Sequence, residues 1–131
     1  MKQIKYILKQ DLKNLINEVG GKLFILEGRN MQTEESLHNE FSNKLNFPSY
    51  YGKNWDAFND CISDLSWLNT ESVRIVIDNF NDVLPENEKG KKILVEILQD
   101  ALIYAEDKER KKSFEEPIPE FILVVESKDV K

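Results

Sequence analysis

Cysteine and histidine are almost absent from this sequence, which contains one of each, Cys61 and His38. A single cysteine excludes an intrachain disulfide and a cysteine zinc cage, and it is typical of a reducing compartment. A single histidine excludes the histidine pairs that hold zinc in many proteins. We therefore expect no metal ion or other cofactor, and we interpret both residues as structural side chains.

Long apolar runs are also absent. No apolar segment approaches the roughly 20 residues that cross a membrane as a helix. Polar side chains interrupt residues 1–10, which leaves no signal-peptide core there. We therefore expect a cytoplasmic protein without a membrane partner. The interrupting residues are Lys2, Gln3, Lys5, Lys9 and Gln10.

Basic residues are in the minority. Lysine and arginine number 18 against 24 aspartates and glutamates, which gives a formal net charge of −6 and an isoelectric point near 4.9. Binding to nucleic-acid phosphates requires clustered lysine and arginine, so we expect no nucleic-acid partner. A macromolecular partner of this chain is expected to be basic.

The most informative segment is an aromatic loop that leads into an acidic helix between residues 48 and 65. Its apolar and acidic positions each recur at helical spacing and fall on roughly opposite faces. We expect the helix to begin near Asn54 or Lys53, with Gly52 at a positive φ in the loop before it. The apolar set is Trp55, Phe58, Ile62 and Leu65, and the acidic set is Asp56, Asp60 and Asp64.

Helical and strand patterns alternate along the rest of the chain. An amphipathic helix over residues 8–19 would end at Gly20 and Gly21, a second helix capped by Thr33 would stop before Pro48, and a long helix would cover residues 93–105. Short apolar strands are predicted at residues 23–27, 73–77 and 121–125. Because a strand buried on both sides shows no polar alternation, this pattern favours a parallel sheet covered on both faces.

We therefore predict an α/β fold, a small three-stranded parallel sheet packed by helices. The chain has 131 residues, of which 40% are hydrophobic, and this suffices for one sizeable core. We expect a single domain over residues 1–131 that is a monomer when free.

Uncommon residues stand at a fixed spacing in the central third of the chain: Leu37-His38, Leu45, Pro48, Tyr50-Tyr51-Gly52, Asn54, Asp56-Ala57 and Asp60-Cys61. At these positions the sequence resembles the barstar family, intracellular inhibitors of the ribonuclease barnase. The similarity extends from about residue 23 to residue 126. It implies a barstar-like core over residues 22–127 and an N-terminal helical extension over residues 1–21.

The resemblance implies an inhibitor, not an enzyme, whose acidic helix and adjoining aromatic loop block the basic active-site cleft of a microbial, extracellular-type, barnase-like ribonuclease. Asp60 matches the family's central acid, and Asp56 matches a second acid one turn earlier. Tyr50 matches an aromatic residue that packs beside the enzyme's catalytic groups, Ser63 a contact hydroxyl, and Asp100 an acid from the long helix.

The sequence departs from the shorter family members around this centre. Asn59 stands in place of a contact tryptophan, and Asp64 and Leu65 stand in place of a glycine and a tryptophan. These changes alter the rim of the expected surface and leave its acidic centre in place. The expected partner-binding set is Tyr50, Asn54, Asp56, Asn59, Asp60, Ser63, Asp64 and Asp100.

Two other functions are open from the residues alone. Asp56 and Asp60 resemble a carboxylate pair for acid and base catalysis, or half of a divalent-metal site that Asp100 would complete. Against an enzyme, the sequence has no Ser/His/Asp arrangement and no glycine-rich phosphate loop. The remaining alternative is an acidic interaction module for a basic partner that is not a nuclease.

Overall fold

Four parallel strands form one sheet at the centre of the computed structural model, which describes residues 3–18, 20–110 and 117–126. Their order in the sheet is β1-β4-β3-β2. The predicted α/β fold with a parallel sheet is confirmed. The strands are β1 (Lys5–Leu8), β2 (Lys22–Glu27), β3 (Ser72–Asp78) and β4 (Ile118–Val125).

The sheet has four strands, so the expected count of three is wrong. The additional strand is β1, which pairs with the edge of β4 from Lys5 opposite Ile122 to Leu8 opposite Val125. An exposed edge leaves a row of backbone groups without partners, and β1 provides those partners for part of β4. The N-terminal segment therefore contains a strand as well as a helix. The boundary between this extension and the core near residue 22 stays a prediction.

Four α-helices connect or cover the strands: α1 (Leu12–Ile16), α2 (Glu34–Leu45), α3 (Trp55–Asp64) and α4 (Glu88–Arg110). The predicted cap of α2 is confirmed. The Thr33 hydroxyl accepts a hydrogen bond from the Ser36 backbone N–H at 3.1 Å, and the Ser36 hydroxyl accepts one from the Thr33 N–H at 3.0 Å. This reciprocal pair satisfies two backbone donors at the helix start.

The two faces of the sheet are covered unequally. Because side chains alternate along a strand, neighbouring residues enter different clusters. Ile75, Ile77 and Phe121 lie in the main core with residues of α2, α3 and α4. Val76, Ile122 and Val124 lie in a smaller cluster that Leu12 and Leu15 of α1 complete. Three helices thus form a thick layer on one face, and the short α1 covers part of the other.

A buried arginine ties α1 to the second face of the sheet. Arg74 of β3 donates from Nη1 to the carbonyl of Leu15 at 3.0 Å and from Nη2 to the carbonyl of Glu18 at 3.1 Å. The Leu15 carbonyl lies in the last turn of α1 and the Glu18 carbonyl just beyond the helix, so the guanidinium holds the end of α1 from both sides. The N-terminal segment is therefore joined to the sheet by strand pairing, apolar contacts and these two bonds.

No helix within the described part of the chain is both long enough and apolar enough to span a membrane. The compartment expected from the sequence stays a prediction.

Candidate functional site

The acidic helix α3 has Asn54 as its N-cap, in agreement with a predicted start near Asn54 or Lys53. The Asn54 side-chain oxygen accepts a hydrogen bond from the Ala57 backbone N–H at 2.8 Å, and its extended backbone is that of an N-cap. The helix ends where Leu65 turns into the left-handed region with φ 56°. Phe58, Cys61 and Ile62 form its buried side, so the opposite side is held towards solvent.

The loop before α3 takes its left-handed residue one position later than expected. Lys53 has φ 53°, and Gly52 does not have a positive φ, so that prediction is wrong. A Cβ added to Gly52 would lie 3.3 Å from Asn54 Nδ2 and 3.8 Å from Ala57 Cβ. The small residue therefore lets the loop pass close to the first turn of α3.

Two adjacent tyrosines of this loop differ strongly in exposure. Tyr50 is 79% exposed, whereas Tyr51 is 9% exposed. A turn closed by the Tyr51 N–H on the Pro48 carbonyl at 3.0 Å brings about this division. The Tyr51 ring packs edge-on against Phe47, with 4.8 Å between centroids. One tyrosine anchors the loop and the other is exposed to solvent.

His38 lies beneath the loop as a buried structural residue, which agrees with its sequence interpretation. Its Nδ1 atom is hydrogen-bonded to the hydroxyl of Tyr51, and its ring lies 5.3 Å from that of Trp55 and 6.0 Å from that of Phe58. Burial lowers the pKa of His38; nearby Glu34 opposes this shift and Lys53 adds to it. The imidazole is therefore held in its neutral form more strongly than in water.

Cys61 is a buried thiol, as the sequence predicts. Burial raises its pKa, and the charges of Asp60 and Asp64 raise it further. Both effects disfavour the thiolate, which is the nucleophilic form. Cys61 is thus part of the packing under α3.

The exposed side of α3 carries the acidic residues that the sequence predicts there. Asp56, Asn59 and Asp60 are exposed, and Ser63 and Asp64 are half-buried. An α-helix has 3.6 residues per turn, so residues three or four positions apart share a face. The observed burial along α3 follows that period. The structure thus places these five residues on the surface side of one helix.

Two depressions meet at Asp60. The first has a volume of about 160 Å³, and its lining includes Tyr50, Asp60 and Asp64. The second has a volume of about 310 Å³ and is lined by Asp60, Ser63, Asp64 and Tyr104. Asp60 and Asp64 are the residues common to both, so the aromatic loop and helix α4 flank the same pair of carboxylates. Below, "the acidic face" means Asp56, Asp60, Ser63 and Asp64 together with Tyr50.

Tyr104 of α4 belongs to this surface and was not among the residues chosen from the sequence. It is 45% exposed and lines the second depression. Asp100, the α4 acid implied by the family resemblance, is exposed one turn earlier and does not line either depression. The i, i+4 spacing of the two residues was a signal for a shared face, but only the packing of α4 on α3 shows that this face adjoins Asp60.

The other predicted contact residues have a more distant relation to the depressions. Asn59 is exposed and lines neither one. The same is true of Asp56, one turn before Asp60. Asn54 uses its side chain to cap α3.

The carboxylates of the acidic face are not neutralised by other described side chains. The ion pairs within residues 3–18, 20–110 and 117–126 lie elsewhere, for example between Lys5 and Glu120 at 2.7 Å. Asp64 accepts a hydrogen bond from the Ser66 backbone N–H at 3.3 Å, which leaves its charge in place. Several negative charges on one surface produce a local negative potential that attracts cations.

Metal binding has no support from the arrangement of these acids. In the part of the chain that the structure describes, no group of three or more His, Cys, Asp and Glu side chains is placed to hold a metal ion. The metal alternative for Asp56, Asp60 and Asp100 therefore gains nothing from the geometry.

Comparison with known proteins agrees with the family resemblance seen in the sequence. The family described as Barstar (barnase inhibitor) matches residues 21–115. A Bacillus subtilis (strain 168) protein named "Putative ribonuclease inhibitor YrdF" is 39% identical over 56 residues. That alignment covers 43% of this chain and 58% of the relative. The family match covers most of the chain, includes all of α2 and α3, and reaches past the end of α4. The chain therefore belongs to the barstar family.

Proposed function

We propose that this protein inhibits a basic ribonuclease by covering its active-site cleft with the acidic face of α3 and the adjoining loop. The observation that carries the proposal is the position of Asp60 at the junction of two depressions, beside the exposed Tyr50 ring. The family description and the relative's name, which both refer to inhibition of a nuclease, support it.

The mechanism follows from the charge that an RNA-cleaving enzyme needs. Its cleft has to bind the phosphates of the substrate, so it is lined with cationic side chains. Carboxylates spaced along one helix face provide anions that occupy those cationic positions without a bond that can be cleaved. Inhibition would then come from exclusion of substrate, and the inhibitor itself needs no catalytic group.

The altered rim gives this chain its own target preference under the proposal. Asp64 adds a carboxylate next to Asp60, and Tyr104 adds an aromatic ring at the far side of the same depression. Aromatic residues and well-placed charges are the groups that contribute most to interface energy. A suitable ribonuclease would have one more cation, or a donor-rich edge, opposite Asp64 and Tyr104.

The proposal predicts stoichiometric inhibition without turnover. Titrating the protein into a panel of small basic microbial ribonucleases, barnase included, should reduce RNA cleavage by at least one of them linearly to an end point at one inhibitor per enzyme. The protein alone should leave RNA intact. The measurement is cleavage of a fluorogenic RNA substrate at fixed enzyme concentration.

Two matched variants connect inhibition to the proposed surface. Asp60→Asn removes one charge at the centre of the acidic face, and the dissociation constant should rise about thirtyfold or more. Glu88→Gln removes the same charge from the start of α4, about 24 Å along the helix from Tyr104 at 1.5 Å per residue, and inhibition should change little. Equal effects of the two variants would contradict the assignment of the surface.

A negative titration has a defined meaning as well. If none of the ribonucleases is bound or inhibited at micromolar concentrations, the inhibitor proposal fails for these enzymes. Capture of a basic protein without nuclease activity, abolished by Asp60→Asn, would favour the alternative of an acidic interaction module.

A further inference from the structure

We propose that a cavity at the start of α4, closed on one side by the N-terminal strand β1, binds a small apolar monocarboxylate. The cavity has a volume of about 580 Å³, and small-molecule pockets range over roughly 300–1,000 Å³. Lys91 in its lining is about 20 Å along α4 from Tyr104 at 1.5 Å per residue. The cavity is therefore separate from the acidic face, and the inference does not rest on the proposed function.

Three parts of the chain supply apolar walls to this cavity. Apolar and aromatic side chains dominate the lining of small-molecule sites in general. An apolar ligand in contact with these walls would remove their surface, and its own, from water. The walls are Tyr6 from β1, Phe80, Leu84 and Pro85 from the connection between β3 and α4, and Val95 from α4.

The N-terminal extension is needed for one of these walls. Tyr6 lies outside residues 21–115, the part of the chain that the family match covers. Its side chain packs against the main core, and its backbone is held by the pairing of β1 with β4, where Tyr6 lies opposite Leu123. The cavity thus depends on the extension as well as on the barstar-like core.

The wall at Leu84 is formed before any ligand arrives. Leu84 has φ 44°, a left-handed conformation that is unfavourable for a residue with a side chain. Its N–H donates to the Met31 carbonyl at 3.0 Å, and its carbonyl accepts from the Asn87 N–H at 3.1 Å. Two hydrogen bonds therefore fix this backbone, and a pre-formed wall lowers the ordering cost of binding.

The charged residues of the lining favour an anion. Lys91 and Lys92 line the cavity together with one acid, Glu88. Two positive charges and one negative charge leave a surplus of one positive charge, although the whole chain has a net charge of −6. A ligand with a single negative charge balances this surplus, so the complementary group is a monoanion such as a carboxylate.

Lys91 has hydrogen-bonding capacity for that carboxylate. Its ammonium donates to the Phe80 carbonyl at 3.0 Å and lies 4.5 Å from the centroid of the Phe80 ring. An ammonium has three N–H donors, and among the residues that the structure describes the ion pairs do not include Lys91. A carboxylate in the cavity would supply both an acceptor and a countercharge.

The surroundings of Lys91 agree with this vacancy for a countercharge. Burial lowers the pKa of Lys91, and nearby Asp82 opposes this shift. Asp82 is itself paired with Arg29 at 3.8 Å, so its charge is shared between two cations. The Lys91 ammonium is thus partly removed from water without a carboxylate of its own, which an anionic ligand would provide.

The first experiment titrates octanoate into the whole chain and follows backbone amides by ¹H–¹⁵N NMR. Amides of β1, of residues 80–84 and of the first two turns of α4 should shift together and saturate, with a dissociation constant on the order of 0.1–1 mM for a ligand of this size. Octan-1-ol, which has the same chain without the charge, should bind at least about fivefold more weakly. The absence of saturation, shifts that leave out β1, or equal affinity for the alcohol would each overturn the proposal.

The second experiment removes the cation. Lys91→Met keeps an unbranched side chain, and it should raise the dissociation constant for octanoate about tenfold while leaving that for octan-1-ol unchanged. Lys89→Met is the matched control, because Lys89 is exposed in the same turn of α4 and is not in the lining. Equal effects of the two variants on octanoate would contradict the site.

Lys92 provides the same test without disturbing the bond to the Phe80 carbonyl. Lys92 is exposed at the cavity, so Lys92→Met should fold as the unmodified protein does and weaken octanoate binding about threefold. Unchanged binding by both Lys92→Met and a folded Lys91→Met would overturn the assignment of an anion.

Dilution separates a small ligand from a second copy of the chain. If the cavity joined two copies, the same amides would shift on about tenfold dilution of the protein without added ligand, by mass action. That result would assign the cavity to self-association and overturn the proposal, whereas unchanged spectra support a small ligand. All these measurements use the free protein, so their failure leaves the ribonuclease proposal standing, and failure of the ribonuclease titration leaves this site standing.

Discussion

Asp60 and Asp64 lie one turn apart on α3, yet their surroundings differ. Both line the two depressions, but Asp60 is exposed and lies between Tyr50 in the lining of one depression and Tyr104 in the lining of the other. Asp64 is half-buried and accepts a hydrogen bond from Ser66 N–H at the end of the helix. The residue at the centre of a contact surface loses the most water on binding, so the two carboxylates are expected to differ in their importance.

The residue-scale prediction is a ranking of single variants. Asp60→Ala should weaken binding most, because Asp60 is the exposed carboxylate between the two depressions. Asp56→Ala should have a smaller effect, since Asp56 is exposed one turn away. Asp64→Ala and Lys53→Ala should have the smallest effects, since Asp64 is half-buried and bonded to Ser66 N–H and Lys53 carries the charge of the expected partner. The losses should appear mainly in the dissociation rate, which surface plasmon resonance measures directly. Small and equal losses at the four positions would mean that α3 is only a solvated face and that the binding surface lies elsewhere.

Local chemistry explains which residue roles could be predicted. Thr33 was recognisable as a cap, and Asn54 as one of two possible starts of α3, because such side chains bond to backbone within three residues. The sequence favoured Gly52 for the left-handed position because a positive φ is least unfavourable for glycine. In the structure Lys53 has the positive φ, immediately before the cap of α3.

At the scale of elements, β1 and α1 depend on contacts distant in sequence. Residues 5–8 are a lysine followed by three apolar residues, too short a segment to show a period, and only the free edge of β4 makes them a strand. Tyr104 was missed for a related reason, since its partner residues on α3 lie about 40 positions earlier in the chain. Helices α2 and α3 were predictable because their caps and apolar periods are local.

The connection between α1 and the sheet gives an element-scale prediction. Arg74→Met keeps an unbranched apolar side chain and removes the donors to Leu15 and Glu18. Bonds from a charged donor contribute about 1.5–3 kcal/mol each before the cost of burying the charge, so the free energy of unfolding should fall by about 1–3 kcal/mol. Urea denaturation monitored by circular dichroism measures this change.

Amide hydrogen exchange shows which part of the structure Arg74→Met destabilises. Amides of residues 5–16 should exchange faster in Arg74→Met. Those of α3 should keep their protection, because the buried side of α3 packs in the main core and not in the cluster that contains α1. Arg29→Met is the matched control, since Arg29 is exposed and pairs with Asp82 at 3.8 Å on the surface. If both variants leave the N-terminal amides unchanged, strand pairing alone holds that segment.

At the scale of the whole molecule, the fold concentrates part of the net charge of −6 on one surface. Elsewhere acids are partly balanced by neighbouring bases, as for Glu40 with Lys44 at 3.9 Å. On α3 the three aspartates have no described ion-pair partner, and Asp100 adds a further exposed charge on the adjacent helix. A surface of this kind attracts a basic partner before contact is made.

Salt should therefore lower the rate of association with the partner and have little effect on the stability of the free protein. Exposed charges are screened beyond about 10 Å at 0.1 M salt, so the association rate with an inhibited ribonuclease should fall at least tenfold between about 20 mM and 500 mM NaCl. The free energy of unfolding should change by less than about 1 kcal/mol over that range, because exposed charges contribute little to it. Stopped-flow association and urea denaturation in the same buffers measure the two quantities. The double variant Asp56→Asn with Asp60→Asn should reduce the salt dependence of the association rate. The control Glu86→Gln with Glu88→Gln removes the same charge elsewhere and should retain that dependence. The same salt dependence for both double variants would show that overall charge, and not this surface, guides the encounter.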